Sequence, residues 1–229
     1  MIYSGGQKKA WIDGRLIKID SIYNEAIHEY VCSTIFRIAG YNSVEYRLLC
    51  KDVYGVRACE CDSYLLSGES SISIERFIRF SYDKNTSAYS LYRNTINSII
   101  SNTGIDRYSL EEHILTYLAL DFIVMNPDRH LTNIEIIVDG NGRYRVSPYF
   151  DFGMAFTGLE KYGYNIGVAS NKFKSQPFSS NPIKNLIDIG FAKRVGIQIQ
   201  STLESLIRYN IPSVYIDAVA HQISKLLAL

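Results

Sequence analysis

Asn126-Pro127-Asp128-Arg129-His130-Leu131-Thr132-Asn133, followed after a gap by Asp151-Phe152-Gly153, is the stretch on which the reading of this chain turns. Ahead of it, Ser109 to Met125 has helical character, with Ser109 as cap and Glu112 three residues on, a capping-box arrangement. Pro127 disfavours helical geometry at Asn126, so the helix is expected to end at about Met125. Asp128 to Asn133 is then delivered on a loop at a rigid helix terminus. Ile134 to Asp139 and Arg143 to Ser147 read as a hairpin turned at Gly140-Asn141-Gly142. That hairpin brings Asp151 back towards the loop, so two acidic residues and an amide converge from one short piece of chain.

Upstream, the pattern is of strands around one helix. Lys8 to Ile12 and Arg15 to Asp20 read as a hairpin turned by Asp13-Gly14. Asn24 to Ala39 places Ala26, Ile27, Tyr30, Val31, Thr34, Ile35 and Ile38 at helical spacing, with Gly40 as a stop. Val44 to Cys50 and Arg57 to Leu66 read as strands, and Ser71 to Phe80 as a further strand that becomes irregular. Tyr89 to Ser101 is helical, and so are Pro182 to Ile189, Ala192 to Tyr209 and Pro212 to Ala228; Gly158 to Ser180, rich in Gly, Ser, Asn and Lys, is expected to be mobile. The expected fold class is α+β and two-lobed: a sheet-rich N-lobe over residues 1–80 and a helical C-lobe over residues 81–229. A nucleotide cleft between the lobes is the natural consequence.

The bulk properties narrow the function classes. With 229 residues the chain can bury a substantial core, and 47% hydrophobic with 21% charged residues is ordinary globular composition. A net charge of +1, from 24 basic and 23 acidic residues, lacks the broad basic footprint of a nucleic-acid binder. Cys32, Cys50, Cys59 and Cys61 form no C-x-x-C pair, and Cys59 and Cys61 share one face of a strand, which reads as a structural thiol pair. The start shows no signal-peptide pattern, and the most apolar run, His113 to Met125, is too short for a membrane span. The expectation is a soluble, cytoplasmic protein with no membrane partner, secretion as an effector remaining open.

The spacing of the central stretch suits phosphoryl transfer, which needs positioning and charge neutralisation more than covalent help. In D-x-x-x-x-N loops the Asp orients an acceptor hydroxyl while the Asn and the Asp of Asp-Phe-Gly hold metal. The expected roles are Asp128 as catalytic base and Asn133 with Asp151 as ligands of Mg²⁺, a cation that prefers oxygen. Lys18 lies in the apolar strand Leu16-Ile17-Lys18-Ile19, where a lone ammonium is costly unless its charge is used. It is expected on nucleotide phosphates and paired to a carboxylate of the next helix, with Glu29 preferred over Glu25. Ser4-Gly5-Gly6-Gln7-Lys8 allows close backbone approach to phosphate, and Lys8 adds charge. Glu75-Arg76-Phe77 follows the last strand of the small lobe. Asp121 and Arg129 read as braces for the loop, and His130 is placed to contact a phosphate.

Taken in order, Ser4 to Lys8, Ile17-Lys18, Glu29-Tyr30, Asn126 to Asn133 and Asp151-Phe152-Gly153 resemble the HipA-like kinases, in particular the short CtkA-like branch. The Asp-Arg-His-x-x-Asn form is also similar to the phosphatidylinositol 3/4-kinase-like superfamily. The resemblance runs over roughly Ser4 to Phe156. It implies ATP phosphates on Lys18, an adenine linker at Glu75 and Phe77, Asp128 as base, and Mg²⁺ on Asn133 and Asp151. It further implies serine/threonine protein kinase activity with autophosphorylation, for which Ser4 is the best-matching serine. Three departures accompany it: the N-terminal subdomain of full-length HipA toxins is expected to be absent, the helical lobe after Asp151 is expected to be short, and no Ala-Pro-Glu follows Asp-Phe-Gly. A partner chain, antitoxin-like or replacing that subdomain, is a corollary.

The functional expectation is therefore an ATP- and Mg²⁺-dependent serine/threonine kinase, toxin-like or an effector, acting on a protein substrate. A small-molecule or lipid kinase and a nucleotide-binding pseudokinase are the alternatives.

Overall fold

A computed structural model describes residues 8–49, 55–78 and 86–229. Ser4, Gly5, Gly6, Cys50 and the expected lobe boundary at Phe80 lie outside the described residues. The described residues begin with a hairpin of β1 (Lys8–Ile12) and β2 (Arg15–Ile19). Asp13 and Gly14 both take positive φ, 50° and 77°, as the twist-matched two-residue turn requires. Helix α1 (Glu25–Ile38) follows, then β3 (Arg47–Leu48) and β4 (Ala58–Asp62), completing an antiparallel sheet of order β1-β2-β4-β3. Its satellite core consists of Ala26, Val44, Tyr46, Cys59 and Cys61, so the two strand thiols are buried together on one face. Among the described residues, the strands expected over Val44 to Cys50 and Arg57 to Leu66 are confined to Arg47–Leu48 and Ala58–Asp62.

β5 (Ser70–Ser73) departs from the sequence reading, which made it the last strand of the small lobe. It pairs with β6 (Glu135–Val138), which pairs with β7 (Tyr144–Val146), in a separate three-stranded sheet. The register matches Ile72 to Ile136, and Ile136 is fully buried, so apolar pairing across a long sequence separation decides the placement. The chain leaves β5 through a single 3-10 turn, Ile74–Phe77, where the strand was expected to become irregular.

The main core is helical. α2 (Ala88–Thr103) and α3 (Arg107–Ile123) contribute Ile96, Ile99, Leu110, Ile114, Leu118 and Ile123, all essentially inaccessible. Each such side chain adds about 1.5–3 kcal/mol of burial. α3 is capped by Asp106, whose Oδ2 accepts from both the backbone N–H and the hydroxyl of Ser109 at 2.8 Å, so Ser109 is the capped residue and not the cap. The helix ends at Ile123, and Met125 takes the left-handed conformation with φ 50°, two residues before Pro127.

The segment expected to be mobile is folded. α4 (Thr157–Lys161) buries Leu159, and α5 (Ile166–Lys172) buries Ala169 and Ser170. The Ser170 hydroxyl donates to Gln222 at 2.7 Å, tying α5 to the last helix. α6 (Pro182–Asn185), α7 (Ile189–Gln200) and α8 (Ser213–Leu227) close the domain, with a 3-10 stretch over Leu203–Tyr209 where a continuous helix was expected. Among the described residues no helix is long and apolar enough to cross a membrane.

Candidate active site

The geometry of the site begins with Arg129, which is wholly buried between two rings, 4.3 Å from the centroid of Tyr117 and 4.6 Å from that of Phe152. Its Nε and Nη2 donate to the two carboxylate oxygens of Asp121 at 3.0 and 3.2 Å. The remaining donors reach main-chain carbonyls: Nη1 to Asn133 at 2.8 Å and Phe150 at 3.1 Å, Nη2 to Asp151 at 3.2 Å. Burial opposes the guanidinium, but Asp121 beside it holds its pKa above the ordinary value. One planar cation thus pins the loop at Asn133 to the Asp-Phe-Gly turn. Asn126 completes the brace, donating to Asp121 at 2.7 Å and accepting from the Asp128 N–H at 3.3 Å.

Around this closed centre, functional groups are presented outward. Asp128 is about half exposed and its Oδ1 lies 2.8 Å from His130 Nε2. Asn133 Nδ2 donates to the Asp128 carbonyl at 3.2 Å, which orients the amide from within its own loop. Asp151 sits at φ 63°, a left-handed conformation that Asp tolerates better than most residues and that aims its carboxylate at the first sheet.

There it meets Lys18. This residue is 2% exposed, and its ammonium donates to Glu29 and, at 2.8 Å, to Asp151 Oδ1. Of the two carboxylates on α1, Glu29 takes the lysine, while Glu25 turns to the Ser21 backbone and hydroxyl. Burial works against the Lys18 ammonium, yet Asp151 and Glu29 outweigh it and its pKa stands well above the usual value. Burial likewise pushes the Asp151 carboxyl up, and Lys18 followed by Lys9 overrides it, so the group lies well below the carboxylate range. The second oxygen of Glu29 accepts the Phe152 N–H at 2.9 Å, clamping the turn to α1.

Lys18, Asp128, His130, Asn133 and Asp151 line one cleft of about 1060 Å³. Three sequence-derived positions are not brought there. Lys8 is exposed on β1, whereas Lys9 lines the cleft and lies 3.7 Å from Asp151 Oδ1. Glu75 and Phe77 are not among the described residues that line it. The Glu75 carbonyl accepts from the Ile78 N–H at 3.0 Å, and the Phe77 carbonyl from the Ser98 hydroxyl. Sequence reasoning also passed over His28. It is fully buried, with Nδ1 3.0 Å from the Gly153 carbonyl and Nε2 3.0 Å from Glu160 Oε1. Its position one residue before Glu29, at the back of the turn, carries no local sequence signal.

A small antiparallel sheet with one helix, followed by a helical lobe, is a fold shared with solved structures. The proinflammatory kinase CtkA of Helicobacter pylori superposes with a TM-score of 0.66 at 14% identity, covering 98% of this chain and 91% of that one. The fold is HipA/CtkA-like. A chain of the Shewanella oneidensis HipA–HipB toxin–antitoxin complex with operator DNA gives a TM-score of 0.62 at 13% identity, with 100% of this chain covering 64% of that chain. No protein-family model matches the sequence, and no curated protein does. In this HipA/CtkA-like fold, the small sheet supplies Lys18, α1 supplies Glu29, and the loop and turn beyond α3 supply Asp128, Asn133 and Asp151.

Proposed function

We propose that this chain is an ATP- and Mg²⁺-dependent serine/threonine protein kinase of the HipA-like type. The observation that carries the reading is the single contact set of Lys18, an otherwise costly buried ammonium held between Glu29 and the Asp151 carboxylate at the cleft wall. The donor set suits a hard cation. Asp151 uses Oδ1 for the two lysines and retains its second oxygen, and Asn133 anchors its Nδ2 while its amide oxygen accepts only a long 3.4 Å contact from the Thr132 hydroxyl. Among the described residues no group of three His, Cys, Asp or Glu could hold a metal. Two protein oxygens fit Mg²⁺, which keeps several waters and takes the rest of its shell from phosphate.

Asn133 and Asp151 would hold the Mg²⁺, which would supply charge neutralisation at the phosphates. Lys18 and Lys9 hold the phosphates from the sheet side. Asp128 orients the acceptor hydroxyl and takes its proton, with His130 fixing the carboxylate. Glu29 keeps Lys18 and the turn in register, and Arg129 keeps the loop against the turn. The acceptor is an alcohol on a protein, Ser4 of the chain itself included, and an antitoxin-like partner chain is part of the same reading.

The test is labelled-phosphate transfer from ATP with Mg²⁺ by the purified chain, with mass spectrometry to locate phosphosites. Asp128→Ala is expected to lower transfer by at least about 10²-fold while keeping a cooperative thermal transition. Asp151→Ala is expected to lower transfer comparably and to weaken stabilisation by Mg-ATP. Unchanged Mg-ATP stabilisation in Asp151→Ala would overturn the metal assignment. Binding without transfer to any protein acceptor, itself included, would leave a small-molecule kinase or a pseudokinase.

A further inference from the structure

His28 is fully buried behind the Asp-Phe-Gly turn, edge-on to the rings of Phe156 at 5.9 Å and Tyr215 at 5.7 Å. A hydrocarbon ring would fill that space at less cost, since a buried imidazole is unfavourable unless its polar atoms are used. Nδ1 lies 3.0 Å from the Gly153 carbonyl oxygen, which only accepts, so Nδ1 carries the ring proton in this contact. Nε2 lies 3.0 Å from Glu160 Oε1 without the alignment of a hydrogen bond. The same oxygen accepts the Asn24 N–H at 3.3 Å, at the start of α1. Burial raises the Glu160 carboxyl, but His28 first and then Asn24 outweigh it, so it lies below its ordinary value.

α1 thus grips the turn at both ends of one dipeptide. Glu29 Oε2 accepts the Phe152 N–H at 2.9 Å, and His28, its neighbour in sequence, donates to the Gly153 carbonyl. Asp151 comes just before this dipeptide at φ 63°, a conformation that persists only where the surroundings over-determine it. Arg129 holds the upstream side through the Phe150 and Asp151 carbonyls, and His28 holds the downstream side through Gly153. We propose that His28 is a positioning residue for the metal: its Nδ1–H fixes the Gly153 carbonyl so that the Asp151 carboxylate stays where it can take Mg²⁺. The proposal rests on the phosphotransfer reading and deepens it. The contact that matters is the one to Gly153, while Glu160 faces the ring from its far side.

Two amide variants separate the contacts of the ring. Asparagine puts its amide nitrogen near the Nδ1 position and glutamine near Nε2, so His28→Asn keeps a donor for Gly153 and His28→Gln keeps one for Glu160. The free Mg²⁺ concentration that half-saturates ATP binding is measured by calorimetry for the wild type, both variants and His28→Phe. Phosphotransfer kcat and the KM for ATP at saturating Mg²⁺ are measured beside it. His28→Gln and His28→Phe are expected to raise the half-saturating Mg²⁺ by about fivefold or more, the scale of one hydrogen bond, and to lower kcat by a similar factor. Their KM for ATP at saturating Mg²⁺ is expected to stay within about twofold of the wild type. His28→Asn is expected to recover the Mg²⁺ dependence to within about twofold. A merely structural histidine would lower the thermal transition of the Asn and Gln variants alike and leave the Mg²⁺ dependence unmoved. Should His28→Phe lose its unliganded thermal transition, the Asn–Gln comparison carries the test. Equal Mg²⁺ dependence in His28→Asn and His28→Gln would overturn the role of His28 while leaving the phosphate site standing. A wild type that binds ATP no better with Mg²⁺ than without it would overturn this role and the phosphotransfer reading together.

Discussion

Two buried cations stand within one site, and they are handled in opposite ways. Arg129 is closed in: every contact it makes ends inside the protein, on Asp121 or on the carbonyls of Asn133, Phe150 and Asp151. Lys18 is equally buried but open on one side, because one of its partners, Asp151, has a side chain 21% exposed at the cleft. The first arrangement satisfies all the donors of a rigid fork and leaves nothing to exchange. The second holds a charge between carboxylates whose field an incoming phosphate and cation can share. A buried ion pair is in itself weak support for either stability or function. What its contacts terminate on separates a brace from a working group.

Removing the closed centre is expected to have the largest effect. Arg129→Met should cost about 3–5 kcal/mol of stability, because it strands the buried Asp121 carboxylate and three main-chain carbonyls. Denaturant unfolding measures this directly. A loss near 1 kcal/mol would show that water or relaxation replaces the brace, and the distinction drawn between the two cations would fail.

Opening the other centre should cost less stability and more chemistry. In Lys18→Met, Asp151 keeps Lys9 and its solvent exposure, and Glu29 keeps the Phe152 N–H, so about 1–3 kcal/mol is expected. Phosphotransfer should nevertheless fall by at least about 10²-fold, and Glu29→Gln added to Lys18→Met should recover part of the stability and none of the transfer. The pair's contribution should be flat through neutral pH. Asp151 is depressed, so its share is lost only as pH falls below the ordinary carboxylate range of about 4. Lys18 is raised, so its share is lost only as pH climbs above about 10.4. A double variant as unstable as Arg129→Met would mean that Lys18 is a structural brace as well.

The same contrast explains what the sequence made legible. Local signals sufficed for the hairpin at Asp13-Gly14, for α1 and for a helix ending before Pro127, because turn chemistry and helical periodicity act over a few residues. They also put Lys18 and Glu29 one strand and one helix apart, in reach of each other. Lys9 was within reach as well: a two-residue turn at Asp13-Gly14 fixes the register, and counting back from Ile12 opposite Arg15 sets Lys9 opposite Lys18. Choosing Lys8 ignored that count. The pairing of β5 with β6, the folding of Gly158 to Ser180 and the meeting of His28 with Gly153 depend on partners far away in the chain, and composition carries no trace of them. Polar residues such as Asn165 and Ser170 read as loop until Asn165 is seen capping α5 and Ser170 is seen bonded to Gln222.

His113 offers the smallest effect at neutral pH and the finest test of how far the closed centre reaches. It is buried on α3, its ring stacked on Tyr149 at 4.8 Å and edge-on to Tyr117 at 5.1 Å, the ring that also faces Arg129. Its Nε2 has no hydrogen-bond partner among the described residues. Burial first, and the charge of Arg129 second, push its pKa down to about 3. The sign follows from that depression: the native state holds the ring neutral, while the unfolded chain takes a proton near pH 6.5. Stability from this site is therefore present above about pH 6.5 and is lost as pH falls from there towards about 3, at up to roughly 1.4 kcal/mol per pH unit. His113→Phe should change stability by less than about 1 kcal/mol at pH 7.5, since an aromatic of similar shape keeps the stacking. It should also flatten the decline between pH 6 and pH 4 in a series of urea-unfolding curves. If the variant and the wild type lose stability in parallel over that range, His113 is protonated without penalty, and the field of Arg129 does not extend beyond Tyr117.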